Sequence, residues 1–185
     1  MIITHHREKL INAIVYFSKN VKYCGKTKLL KLLYFLDFEH FKQTGKPVTG
    51  LEYFTWKRGP CPPELFEELS GKMKPDLKRS IEIKQIDDFF KILPKVRFKE
   101  DYFSTRELNL LKSLSYIYKD AKAYDMVEIT HLKNEPWDQT LKNKGTFQPI
   151  DYLLAIDNSG GSLTFPEAKE RSQEITEMYK IFGTV

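Results

Sequence analysis

Residues 26–41 read Lys26-Thr-Lys-Leu-Leu-Lys-Leu-Leu-Tyr-Phe-Leu-Asp-Phe-Glu-His-Phe41, and this stretch decides the fold. Apolar residues recur at helical spacing on two adjacent stripes, Leu29, Leu33, Leu36 and His40 on one, Leu30, Tyr34, Asp37 and Phe41 on the other. Lys28, Lys31, Glu39 and Lys42 are the clearly polar residues of the remaining side. So wide an apolar arc predicts a central helix over 26–43 that is touched from more than one direction. Gly45 stands where a helix stop is expected, and Cys24–Gly25 breaks the chain before it.

Outward from this helix, Leu10, Ile11, Ile14, Val15 and Phe17 predict a first helix over 7–18. On the other side Gly45-Lys-Pro-Val-Thr-Gly50 reads as a turn and Leu51–Trp56 as a strand. The segment Arg58-Gly-Pro-Cys-Pro-Pro63 is expected to be irregular, because its three prolines remove three backbone donors. Pro63 suits the first turn of a short helix, 63–70, closed by Gly71. Residues 72–80 are Lys-rich and expected at the surface. Ile81–Ile86 and Phe89–Phe98 predict a hairpin with its tip near Gln85–Asp88.

Phe103-Ser-Thr-Arg-Glu-Leu108 combines a capping box, Ser104 with Glu107, and a hydrophobic staple, Phe103 with Leu108. A helix over about 105–119 follows, with Leu110, Leu111, Leu114, Ile117 and Tyr118 facing inward. Shorter helical segments are expected at about 123–132, after Glu135-Pro-Trp137, and at 150–155. Ser159-Gly-Gly-Ser162 is a joint, and 166–182 is a last amphipathic helix carrying Ala168, Ile175, Tyr179 and Phe182. Helices, then strands, then helices predict an α+β, predominantly helical domain with a small antiparallel β-sheet, not a βαβ fold. The 185 residues suit a single domain over 1–185 with one core.

Composition narrows the class further. Hydrophobic residues are 41% and charged residues 30% of the chain, with 13 Phe, 10 Tyr and 2 Trp, which argues against disorder. The two cysteines, Cys24 and Cys61, form no C-x-x-C, so neither a disulfide scaffold nor a zinc ribbon is supported. The apolar runs Ala13–Phe17 and Leu32–Leu36 fall far short of the roughly 20 residues a membrane span needs. With no secretory segment at the start, a cytoplasmic, reducing setting is expected. Residues 1–100 carry 20 basic and 12 acidic side chains, residues 101–185 carry 10 and 13. That asymmetry raises a nucleic acid or an acidic protein as partner.

Catalytic and cofactor patterns are weak. The Gly160–Gly161 doublet has no strand–loop–helix setting for a dinucleotide or phosphate loop, and there is no G-x-S-x-G. Glu128 and His131 share E-x-x-H spacing, but a carboxylate-bridged metal site needs two such pairs. His131 is therefore expected to be a satisfied structural histidine, and no catalytic, cofactor or metal residue is assigned. Cys61 sits between prolines, where it could be exposed. Lys26, Lys28 and Lys31 precede Tyr34 and Phe35, a cation–aromatic pairing that nucleic acid would use if the rings were exposed, but they fall in the apolar arc. Asp37 lies on an apolar stripe and must be paired or hydrogen-bonded if buried, with Tyr53, Lys57 and the backbone of Gly59–Cys61 as expected partners. Its loss is expected to cost roughly 1–3 kcal/mol.

The ordered set of these residues resembles the Panacea domain of SocA-like antitoxins and of related phage-associated proteins. The match runs through Lys28, Lys31, Leu32, Tyr34, Asp37 and His40, then Gly45-x-Pro-x-Thr-Gly50, Tyr53, Lys57 and Gly59-Pro60-x-Pro62. It continues through Phe103-Ser, Glu107 and Leu108 to His131 and Trp137, covering about residues 8–140 and leaving a C-terminal extension. Cys61 departs from the aliphatic residue commoner in that loop. The resemblance implies a helical domain with a small sheet, no cofactor, and no enzymatic activity. It implies an antitoxin that binds a toxin encoded beside it, so that the motif residues are mainly structural. SocA itself implies a variant role, an adaptor delivering the toxin to a protease. A nucleic-acid-binding regulator using the basic half, and a hydrolase using Asp37, His131 or Cys61, are the readings from other classes. Candidate contact surfaces are residues 72–80, 81–99 and 166–182.

Overall fold

A computed structural model describes residues 5–86, 88–157 and 159–183. It is 59% helical with two small antiparallel sheets, the α+β, predominantly helical class expected from the sequence. Helix α2 (Lys26–Thr44) is the axis, with twelve of its 19 residues buried. Helix α1 (His6–Asn20) lies against it, burying Leu10, Ala13, Ile14, Val15 and Phe17. Strands β1 (Phe54–Trp56) and β2 (Gly59–Cys61) pair antiparallel, and helix α3 (Pro63–Glu67) follows with Pro63 in its first turn. The chain then makes a π-helical turn, Glu68–Lys72, and a short helix α4 (Pro75–Ser80). Strands β3 (Ile81–Ile86) and β4 (Phe89–Pro94) form the second hairpin. Helices α5 (Thr105–Ile117), α6 (Ala123–Thr130), α7 (Pro136–Lys144) and α8 (Phe165–Phe182) complete the chain. Among the described residues no helix is long and apolar enough to cross a membrane.

The expected start of α5 holds in detail. Ser104 Oγ accepts from the Glu107 N–H and the Glu107 carboxylate accepts from the Ser104 N–H at 2.7 Å. Phe103 is buried in the main core with Leu108 packed against it. The same Glu107 carboxylate takes Lys9 Nζ at 2.6 Å, so the cap of α5 is also its tie to α1.

Several expectations are corrected. Residues 59–61 are a strand despite Pro60. Thr55, opposite Pro60, sends its N–H to Gln148 O and accepts from Phe147 N–H, so its backbone groups point away from β2. Opposite such a residue, in a non-hydrogen-bonded pair, the ladder asks nothing of the missing proline N–H. The first strand is shorter than 51–56, and the second hairpin stops at Pro94 rather than Phe98. Residue 87, at the expected hairpin tip, lies outside the described residues. The Lys-rich stretch 72–80 contains helix α4, which buries Leu77 in the core and is pinned by Arg7 bridging Asp76 and Glu68 at 2.8 Å each. Ile117, expected inside, is 64% exposed, and Phe182 is also exposed.

Candidate functional site

The polar side assigned to α2 is where sequence and structure part most. Lys28 and Lys31 are not on a solvated face; both ammonium-bearing side chains are buried. Lys28 Nζ donates to the carbonyls of Lys22 (2.7 Å) and Ala121 (2.6 Å), with Lys119 O at 3.3 Å. It ties the segment after α1 to the turn between α5 and α6 through three carbonyls. Burial lowers its pKa, opposed by the charges around it. Lys31 Nζ donates to Pro60 O at 2.7 Å, which fixes β2 to α2. Leu32, between them, is wholly buried in the main core.

Asp37 is fully buried but its partners differ from those expected. Its Oδ1 accepts the backbone N–H groups of Val48 (2.9 Å) and Thr49 (2.6 Å). Its Oδ2 accepts the Thr49 hydroxyl and the Tyr53 hydroxyl, the latter at 2.9 Å. Tyr53 was expected; Lys57 and the Gly59–Cys61 backbone are not among the partners. Burial pushes the Asp37 carboxyl up to about 6, with the Thr49, Tyr53 and Val48 donors holding it down, so it is ionised at neutral pH. The knot folds the 45–50 turn onto α2. Gly50 closes that turn at φ 68°, and a Cβ there would stand 2.7 Å from His6 Nδ1. Around the knot Tyr34, Phe38, Tyr53 and Trp137 form an aromatic cluster. The Tyr34 hydroxyl is sealed beside the Trp137 backbone without a hydrogen bond of ordinary geometry.

A second junction surrounds Gly59. At φ 90° it takes a conformation that favours glycine. A Cβ there would lie 2.7 Å from Thr130 Oγ1, 2.8 Å from Lys31 Nζ and 3.1 Å from His131 Nε2. Three elements, α2, β2 and the end of α6, therefore meet where only glycine fits. His131 stacks flat on the Trp137 indole, centroids 3.9 Å apart and planes at 10°. Trp137 Nε1 donates to Trp56 O at 3.2 Å, joining α7 to β1. His131 is not the satisfied histidine expected: its Nε2 is buried and meets no partner. Burial and the Lys31 charge both lower the His131 pKa.

Cys61 is buried rather than exposed, and burial pushes its thiol up to about 11. Cys61 lies with Lys31 at this junction, whereas the acceptors of Asp37 are committed to the turn and Tyr53. The trio proposed for hydrolysis is thus divided between two knots. Among the described residues no three His, Cys, Asp or Glu side chains group as a metal site.

Beside the Gly59 junction opens a cavity of about 320 Å³. Leu30, Trp56 and Phe66 form its apolar walls, Lys31, Gly59 and Cys61 line it, and Lys57 and Arg58 stand at the β1–β2 turn. Sequence reasoning missed it, because its walls come from α2, β1 and α3, and α3 was placed without knowing which face it buries. The adjacent pair Lys57–Arg58 between two apolar stretches was the available signal. Lys31 lines this cavity as a buried amine. Burial lowers its pKa to about 7 from 10.5. Between those two values the unfolded chain binds more protons than the folded one, so stability rises with pH. Wild type is therefore expected to gain on Lys31→Met between pH 7 and pH 9, by up to about 1.4 kcal/mol per pH unit, in urea unfolding. A difference that does not change with pH would show that the ammonium is not desolvated.

No curated protein and no solved structure matches this chain. The family model described as "Antitoxin SocA-like, Panacea domain" matches residues 29–138, from the second turn of α2 to the first turn of α7. Both knots and their connecting segments fall inside that span. The chain belongs to the SocA-like antitoxin family and carries its Panacea domain.

Proposed function

We propose that the protein neutralises a toxin, the product of a neighbouring gene, by direct protein–protein contact. Membership in an antitoxin family supports a toxin as partner in general, and the family match is the observation that carries the reading. The geometry agrees with it: several motif residues spend their polar groups on tying elements of the fold together. Lys28 caps three carbonyls, Asp37 takes four donors, and Gly59, His131 and Trp137 lock three elements together. We assign Lys28, Lys31, Leu32, Tyr34, Asp37, Gly50, Tyr53, Gly59, Pro60, Pro62, His131 and Trp137 a mainly structural role, that of a rigid scaffold. A scaffold of this kind can present a contact surface without any chemistry of its own.

The test is co-expression with the product of the adjacent gene. Growth arrest by that product alone, growth restored by this protein, and co-elution of the two from a sizing column are expected. A neighbour that is harmless alone, or that stays toxic with this protein present, overturns the reading.

A further inference from the structure

Resting on the antitoxin reading, we infer that the cavity between α2, β1 and α3 receives an acidic side chain of the partner protein together with an apolar side chain beside it. Charge is the first argument. No carboxylate lines the cavity: its ionisable groups are the amines of Lys31 and Lys57, the guanidinium of Arg58 and the thiol of Cys61. The other cavities near the motif carry carboxylates, Glu52 and Glu64 in one, Glu39 and Glu135 in another. Lys57 and Arg58 are exposed and make no ion pair or hydrogen bond among the described residues. Lys31 is more telling. Its amine is buried and held by a single carbonyl, with no carboxylate partner among the described residues, and burial without a counter-charge disfavours its ammonium form. An incoming carboxylate supplies the counter-charge that favours the ammonium form.

The walls make the second argument. Leu30, Trp56 and Phe66 offer aliphatic and aromatic surface, and Lys26 Nζ lies 5.9 Å from the Phe66 ring centroid. Buried aromatic anchors beside paired charges are the usual makeup of a strong protein contact. A nucleotide base fits less well. Reading a base edge takes paired donors and acceptors, and Thr27 is the one neutral hydroxyl in the lining.

The experiment has two arms. In the first, the ¹⁵N-labelled full chain is titrated with the peptide acetyl-Glu-Phe-amide and its twin acetyl-Gln-Phe-amide. Shifts at the Gly59 amide and the Trp56 indole N–H are expected, with the Glu peptide at least about tenfold tighter, and their loss in the Lys57→Glu/Arg58→Glu double variant. Both positions are exposed and unpaired, so the variant should fold, and an unchanged melting temperature checks this. Equal affinity for the twins, shifts elsewhere, or stronger shifts of the same signals by a thymidine oligonucleotide overturn the inference. In the second arm the double variant is tested against the toxin beside a charge-matched control, Lys112→Glu/Lys144→Glu, two exposed lysines on α5 and α7. Binding at least tenfold weaker in the first variant alone is expected. A variant that binds the toxin as well as wild type removes the cavity from the contact while the antitoxin reading stands. If wild type itself fails to bind the neighbour's product, the antitoxin reading fails and the peptide arm still decides the cavity.

Discussion

Replacing Asp37 by alanine is expected to lower the unfolding free energy by about 3–5 kcal/mol, beyond the 1–3 kcal/mol that one unpaired buried group would cost. The increase follows from the number of donors stranded. Two backbone N–H groups, at Val48 and Thr49, cannot turn elsewhere, and the hydroxyls of Thr49 and Tyr53 lose the same acceptor. Asp37→Asn separates these contributions. An amide can still offer its oxygen to the two N–H groups, while the two hydroxyls reverse and accept from its NH₂. A loss of about 1–2 kcal/mol is therefore expected for Asn, read from urea unfolding. Equal losses for Ala and Asn would mean that charge, not hydrogen-bond count, holds the knot.

Trp137→Ala is expected to cost about 3–5 kcal/mol. The indole is 7% exposed and belongs to the aromatic cluster around Tyr34, Phe38 and Tyr53. Its removal also takes away the ring on which His131 stacks and the Nε1 bond to Trp56 O that joins α7 to β1. Trp137→Phe keeps a ring against His131 but not the N–H, and a loss of about 1–2 kcal/mol is expected for it. A Trp137→Ala protein with wild-type stability and lost toxin binding would place Trp137 in the contact surface instead of the core.

The helical framework was legible because its signals are local. The two stripes of α2 and the Ser104–Glu107 box each involve residues a few positions apart, where spacing alone fixes the geometry. What the sequence could not show is which distant backbone a polar residue meets. Lys28 and Lys31 looked like the solvated side of a helix, yet they satisfy carbonyls of Ala121 and Pro60. A long flexible stem lets lysine reach such carbonyls from a position the periodicity marks as polar. Asp37 was recognised as needing partners, Tyr53 among them, but the other three donors sit in the 45–50 turn, which Gly50 closes at positive φ. Pro60 was misread for a similar reason. Whether a proline interrupts a ladder depends on which side of the pair its nitrogen faces, and that is set by Thr55 bonding to residues 147 and 148. The cavity with Lys57 and Arg58 was out of reach because α3, β1 and α2 come together only in the fold.

The most direct test of the account is the fate of the neighbouring toxin in cells that also make this protein. Toxin half-life is followed after synthesis is stopped, and the protein is recovered by affinity capture. Neutralisation by direct contact predicts restored growth with the toxin long-lived and captured in the complex. A toxin that disappears rapidly only when this protein is present, or one that persists uncaptured and still arrests growth, would contradict it.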